Sequence, residues 1–417
     1  MEWTVHAWRR VRSGTGRSAS FLGRLLDEYP AKVTPAGKAG QALFICAVPL
    51  GIMFFVWAAC SYYGVATAPH CSPGTLLHLA IPAARDDLTA CRILPLAADL
   101  PSVALGFTSS LAVSIYLTLI ARLSRLKGDI VESGLVNASD FTAGALADRL
   151  SGLESGIRLG RSAKAGLAAL SVGGSAGLYL WAYRGGRSFT DLATVSASRP
   201  SAESIRTSWW ANYHERPLLA AVWIVIGSLG LYFAAKQGYI YQRLLSFSWA
   251  ARKAWNFQYV CRARDDDFGW KPVGRIITMV YLGFLNFTIS LTAAAYLLRG
   301  ESGDWKNPVV AVVALLGIWA NAGILVALLT VMIRNHRAVV ARERLAVAAE
   351  IGRLQREEAG VGALERDAGI ARFTAQGVLL FEAPRWYPLR GKLKPVLSLA
   401  PVLLALYKFG VEFTKLN

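Results

Sequence analysis

The chain has 417 residues, of which 54% are hydrophobic and only 17% are charged. Soluble globular proteins carry about 25% charged residues, and disordered chains lack this aliphatic and aromatic content. Both classes are therefore excluded, and the composition indicates a protein whose main solvent is a lipid bilayer. The net charge of +18 would suggest nucleic acid in a soluble chain, but in a membrane protein it reports topology first.

Six apolar segments are long enough to be transmembrane helices. A helix needs about 20 mainly apolar residues to cross about 30 Å of hydrocarbon. The six segments cover residues 41–64, 103–121, 165–183, 218–235, 276–298 and 308–333, and none contains Lys, Arg, Asp, Glu or His. Because no alternating ten-residue pattern recurs, helices rather than a β-barrel are predicted. The predicted fold class is all-α, a polytopic membrane protein with six transmembrane helices.

The basic residues predict the orientation of these helices. With both termini in the cytoplasm, 36 of the 45 Lys and Arg residues lie on the cytoplasmic side and 9 on the outer side. Segments rich and poor in Lys and Arg then alternate strictly, as the positive-inside rule requires. The Ala-, Gly- and Arg-rich composition favours a bacterial inner membrane as the location.

Aromatic residues at the ends of the spans agree with this orientation, because Trp and Tyr are enriched at membrane interfaces. The predicted outer belt consists of Trp57, Tyr62, Tyr63, Trp181, Tyr183, Trp209, Trp210 and Tyr213. Trp249, Trp255 and Trp270 are expected on the inner side.

The chain is predicted to have a basic N-terminal segment (1–40), a transmembrane domain (41–333) and a cytoplasmic tail (334–417). The helical pattern continues past Ile333 with a stripe of Val340, Val347, Ile351 and Leu354. A packing face against the inner loops is favoured for this stripe over an intersubunit coiled coil, since it covers only about one and a half heptads. Residues 373–381 have a strand-like pattern.

The end of the tail carries a basic cluster and a short apolar run. Arg385, Trp386, Arg390, Lys392 and Lys394 are predicted to contact anionic lipid headgroups, each cation adding about 1 kcal/mol. The apolar run 395–407 is too short to span the bilayer. It is predicted to be an interfacial helix, a helix buried against the bundle or a re-entrant segment.

Three consecutive carboxylates, Asp265, Asp266 and Asp267, form the densest charge cluster together with flanking cations. They could hold a divalent ion or a regulatory ligand near the membrane surface. The favoured interpretation is that they precede a helix, because acidic residues stabilise a helix N-terminus and Pro272 suits its first turn.

Cysteine usage predicts one disulfide and no metal site. Cys71 and Cys91 share the first outer loop, and a bond between them would close about twenty residues, worth about 3 kcal/mol. Their surroundings lack the ligand spacing of a zinc site. No cofactor is predicted.

The sequence offers no enzymatic constellation. Residues 173–177 match the G-x-S-x-G pattern of hydrolases at Ser175, but none of the predicted spans supplies a base. Small residues at spacing four are the ordinary means by which membrane helices pack closely, and this role is favoured here. The chain is therefore not predicted to be an enzyme.

Polar residues within the spans are the remaining functional signal, because they are costly in hydrocarbon unless they face protein or water. The candidate pore-lining residues are Ser110, Ser114 and Thr118 in the second span, Asn286 and Ser290 in the fifth, and Asn321 in the sixth. Interhelical hydrogen bonds would produce the same pattern, and that alternative carries the greater weight.

The lack of charged residues in the spans argues against ion-coupled transport, which uses such groups at mid-membrane. The leading prediction is a homo-oligomeric channel or membrane effector with a pore walled by the fifth and sixth spans. The alternative is a scaffold or assembly subunit of a membrane complex that recruits cytoplasmic partners, and the third is an uncoupled lipid or small-molecule transporter. No nucleic-acid partner is expected.

Overall fold

The computed structural model describes residues 38–66, 96, 99–135, 145–157, 159–185, 209–251, 270–297, 308–356 and 363–382. Regular secondary structure in these ranges is helical, which confirms the all-α prediction for the described part of the chain. The helices are α1 (Lys38–Tyr62), α2 (Leu100–Glu132), α3 (Ala145–Ile157), α4 (Arg161–Gly185), α5 (Pro217–Ala251), α6 (Lys271–Leu297), α7 (Pro308–Arg356) and α8 (Ala363–Glu382).

Six of these helices are long and apolar enough to cross a membrane, and they coincide with the six predicted segments. They are α1, α2, α4, α5, α6 and α7. Helix α7 has 49 residues, or about 74 Å at 1.5 Å per residue, so it is far longer than a bilayer is thick. It continues without a break through the boundary predicted at residue 333. Membrane insertion and the orientation of the termini stay predictions.

The helix ends follow from local sequence. Pro217 and Pro308 are the first residues of α5 and α7, where the missing N–H costs nothing. Gly64 and Gly134 follow α1 and α2 with φ angles of 67° and 70°, the left-handed conformation that closes a helix C-terminus. The Val65 N–H accordingly bonds to the carbonyl of Cys60 at 2.8 Å.

The helices divide between two compact units. Of the described residues, those within 38–124, 159–239 and 282–319 belong to the first unit, and those within 125–157, 240–281 and 320–382 belong to the second. The core of the first unit is rich in aromatic side chains, which pack with aliphatic residues of α1, α4 and α5. Its largest buried members are Tyr179, Trp209, Trp210 and Trp223.

In the second unit α8 packs along the extension of α7. A Cβ added at Gly369 would lie 3.1 Å from Cδ1 of Leu354, and one at Gly377 would lie 3.8 Å from Cγ1 of Val347. The apolar stripe predicted beyond Ile333 is thus a packing face, and its described partner is α8. The strand-like prediction for residues 373–381 is wrong, because they belong to this helix.

Candidate functional site in the first unit

A cavity of about 110 Å³ lies among α1, α2, α4, α5 and α6 within the first unit. Its wall is mainly apolar, and among the described residues that line it none is charged. The polar side chains on the wall are a small set of hydroxyls and one amide. They are Ser102, Thr108, Ser109, Ser175, Asn286 and Ser290. Such a concave, apolar site with a few polar groups is typical of small-molecule binding sites.

The polar groups of the wall mostly bond to backbone carbonyls. Nδ2 of Asn286 donates to the carbonyl of Thr108 at 2.9 Å and so joins α6 to α2. The Ser290 hydroxyl donates to the carbonyl of Asn286, and the Ser175 hydroxyl donates across to the carbonyl of Ile224, at 2.9 and 3.0 Å. Oδ1 of Asn286 is buried and has no hydrogen-bond partner in the described part of the chain. Asn286 thus has both a structural bond and a free acceptor.

Two glycines of α5 allow it to approach its neighbours closely beside the cavity. A Cβ at Gly230 would lie 2.7 Å from Cα of Ser109 on α2, closer than real side chains come. A Cβ at Gly227 would collide with the Ser175 hydroxyl on α4. Small residues at such positions are a usual means of tight packing between membrane helices.

A buried carboxylate lies at the start of α2, next to this site. Asp99 is fully buried, and its Oδ1 accepts a hydrogen bond from the Ser102 N–H at 3.1 Å, which makes it the N-cap of α2. Its Oδ2 accepts from the indole Nε1 of Trp209 at 2.9 Å and of Trp210 at 2.8 Å. Burial raises the pKa of the Asp99 carboxyl, while the bonds from Ser102 and the two indoles oppose that rise.

This network ties the segment before α5 to α2 and thereby positions two tryptophans of the cavity wall. Trp210 lines the cavity, and so does Trp223, whose Nε1 donates to the Ser102 hydroxyl at 3.1 Å. The Tyr179 hydroxyl donates to the carbonyl of Ala211 at 2.7 Å and holds the same segment against α4. The sequence-based prediction missed Asp99, although an Asp directly before an apolar run that contains an early Pro is a signal for a helix N-cap.

The predicted aromatic belt is only partly consistent with the structure. Trp209 and Trp210 are buried and bonded to Asp99, so they are core residues rather than exposed interface anchors. Trp57, Tyr62 and Trp181 are exposed, as an interface position requires. Of the residues predicted for the inner side, Trp249 is exposed, Trp270 is buried, and Trp255 lies outside the described residues.

A buried lysine follows the predicted end of the fourth span by one residue. Lys236 is 4% exposed, and its Nζ lies 4.5 Å from the centre of the Tyr116 ring and 5.1 Å from that of Tyr232. Cation–π attraction of this kind can reach about 2 kcal/mol in desolvated sites. Because α5 continues to Ala251, a charged side chain is present within the candidate span Pro217–Trp249. The predicted fourth span ended at residue 235, directly before this charge, and therefore omitted Lys236.

The six residues predicted to line a pore do not all lie together in the structure. Ser110, Ser114 and Thr118 are buried, with hydroxyls bonded to carbonyls of their own helix, and Ser114 also reaches the carbonyl of Ile45 on α1 at 3.3 Å. Asn286 and Ser290 line the internal cavity. Asn321 belongs to the second unit. The structure therefore brings two of the six together at the cavity, and the pore itself stays a prediction.

Several predicted sites lie outside the described residues. They are the Cys71–Cys91 disulfide, the carboxylates Asp265, Asp266 and Asp267, the apolar run 395–407, and the cluster of Arg385, Trp386, Arg390, Lys392 and Lys394. All of these stay predictions. In the part of the chain that is described, no group of His, Cys, Asp and Glu could hold a metal ion.

The architecture and the site define a class: the described part of the chain is all-helical, with six apolar helices that suggest embedding in a membrane and a cavity among five of the helices. No protein-family model, curated protein or solved structure matches the chain.

Proposed function

We propose that this protein binds a small, uncharged and largely apolar molecule within the membrane, as an uncoupled small-molecule transporter. The observation that carries the proposal is the cavity of about 110 Å³ in the first unit. An engineered apolar cavity of about 150 Å³ stays dry and binds benzene, so this cavity has the size that suits one small aromatic ring.

The free energy that an unfilled cavity costs the protein supports a binding function for this cavity. Empty volume in a protein interior costs about 24 cal/mol per Å³, so a cavity of about 110 Å³ costs on the order of 2 to 3 kcal/mol when unfilled. Larger side chains at small positions on its wall, such as Ala112 and Ala234, would remove that cost. An occupant would remove it as well, and this favours a binding site.

The lack of charged residues on the cavity wall supports a transporter that is not coupled to an ion. Ion-coupled carriers bind their ion through charged or carbonyl groups at the substrate site. Lys236 is buried near the cavity-lining Ala234 on the same helix, but it is not among the residues of the wall. We therefore assign the cavity to binding of the molecule alone, without an enzymatic step or a cofactor.

Filling the cavity tests the proposal. Ala234 lines it, whereas Ala235, the next residue of α5, is exposed. We expect wild type and Ala235→Phe to bind toluene in lipid nanodiscs, measured by isothermal titration against empty nanodiscs. Ala234→Phe should weaken binding by at least about tenfold, since a buried phenyl ring occupies the site. Equal toluene binding by both variants, with both monodisperse, would refute the proposal.

A homo-oligomeric channel is the second candidate function. Asn321 is a polar residue of α7 that is only half-buried in the single chain, and Trp319 nearby is 73% exposed. A second copy could cover this face and place Asn321 at an intersubunit pore walled by the fifth and sixth spans. A scaffold that recruits cytoplasmic partners is the remaining alternative. The one observation that supports it is the charged part of α7 beyond Ile333.

We propose the bacterial inner membrane as the location, with both termini cytoplasmic. The uneven distribution of Lys and Arg along the chain supports this orientation. It would place the cations near the end of the tail where anionic headgroups can bind them.

A further inference from the structure

The amide of Asn286 has a fixed orientation. Its Nδ2 donates to the carbonyl oxygen of Thr108 at 2.9 Å. That oxygen can only accept, so exchanging the amide nitrogen and oxygen would set two acceptors against each other. The bond therefore assigns Oδ1 to the other side of the amide group.

Oδ1 of Asn286 is an unmet acceptor on a residue that lines the cavity. Asn286 is 4% exposed, and Oδ1 has no partner in the described part of the chain. Three hydroxyls of the wall use their protons elsewhere: Thr108 donates to the carbonyl of Ala104, Ser290 to that of Asn286, and Ser175 to that of Ile224. A buried acceptor without a donor is unfavourable, so the missing donor is expected on the occupant of the cavity.

We infer that the cavity selects an apolar molecule that carries one hydrogen-bond donor, a hydroxyl or an amide N–H, and that Oδ1 of Asn286 accepts that donor. This inference rests on the proposed function and names its substrate class. Apart from its hydroxyls the rest of the wall is apolar, and none of its described residues is charged, so it offers nothing to balance a charge on the molecule. Asn286 is thus the specificity-determining residue of the site.

Phenol and toluene test this inference because they differ by a hydroxyl in place of a methyl group. Both are titrated into wild type, Asn286→Leu and Ser290→Ala in lipid nanodiscs, with empty nanodiscs as the blank. Leu has nearly the shape of Asn but no acceptor. The ratio of phenol to toluene affinity should fall about tenfold in Asn286→Leu, the factor that about 1.4 kcal/mol of hydrogen bonding gives. Because both probes are measured on every protein, comparing the affinity ratios cancels the difference in hydration free energy between phenol and toluene.

Ser290→Ala is the matched control, since Ser290 lies one turn further along α6 and lines the same cavity. Its ratio should equal that of wild type, and a ratio that falls in this variant would overturn the inference. An unchanged ratio in Asn286→Leu would also overturn it and would indicate that water satisfies Oδ1. Asn286→Ala lacks the acceptor too and replaces the Leu variant if that one does not fold. Failure of wild type to bind either probe would instead refute the proposed function.

Discussion

Replacing Asp99 by Asn should destabilise the first unit although the two side chains have nearly the same shape. One carboxylate oxygen accepts the N–H groups of Trp209 and Trp210, and the other accepts the backbone N–H of Ser102. In either protonation state both carboxyl oxygens have lone pairs, whereas Asn has a single acceptor. Whichever way the amide turns, its NH₂ group faces at least one buried donor.

The expected loss follows from that count. A buried donor left without an acceptor costs about 1 to 3 kcal/mol, so Asp99→Asn should lower the free energy of unfolding by about that amount. The control is Glu215→Gln, because Glu215 is half-exposed and its ion pair with Arg216 is worth at most about 1 kcal/mol. Thermal unfolding in detergent, followed by tryptophan fluorescence, measures both. Equal losses in the two variants would contradict the proposed role of Asp99.

The pH dependence of stability gives a second measurement on the same residue. Because burial raises the folded-state pKa of Asp99 above 3.8, the folded protein holds its proton more tightly than the unfolded chain does. Its contribution to stability is therefore full below the unfolded pKa and is lost as pH rises through the folded pKa. The Asp99→Asn variant should lack this component, and an unchanged pH profile would show that Asp99 does not titrate there.

Two further predictions concern helix packing and the channel hypothesis. Gly230→Ala should cost about 1 to 3 kcal/mol of stability, because its Cβ would collide with Ser109, while Gly238→Ala has open space and should be neutral or stabilising. Unfolding of the two variants in detergent compares them directly. If the protein is a homo-oligomeric channel, Asn321→Leu should change its conductance in planar bilayers without loss of folded protein, and a wild type that never conducts would count against the channel.

The sequence was sufficient to predict six long apolar helices, because crossing hydrocarbon requires a length and a lack of charge that hydropathy measures directly. The predicted fourth helix was too short, because an α-helix can continue past the last residue of an uncharged apolar run. Lys236 lies among aromatic rings of the protein and so is tolerated there. This burial depends on Tyr116 of another helix, which no local pattern encodes.

The strand-like interpretation of residues 373–381 failed for a related reason. A short apolar run looks alike in a strand and in a buried helix when only periodicity is considered. The deciding signal is the spacing of Gly369 and Gly377, which places both against the apolar side chains of Leu354 and Val347 on α7. That signal has meaning only once the packing partner is known.

Interhelical hydrogen bonds were the favoured alternative to pore lining, and the structure has them at Asn286 and also at Ser175 and Gln237, which were not among the pore candidates. Asn286, Ser175 and Gln237 each donate to a backbone carbonyl of a neighbouring helix, at 2.9, 3.0 and 2.6 Å. Apolar burial does not drive helix association in lipid, so such bonds and close glycine contacts fix the helices instead. Bonds and close contacts of this kind limit how far the helices can relax inward to close a void. The cavity can therefore persist in the empty protein, and a molecule that enters it meets a preformed wall with Oδ1 of Asn286 already in place.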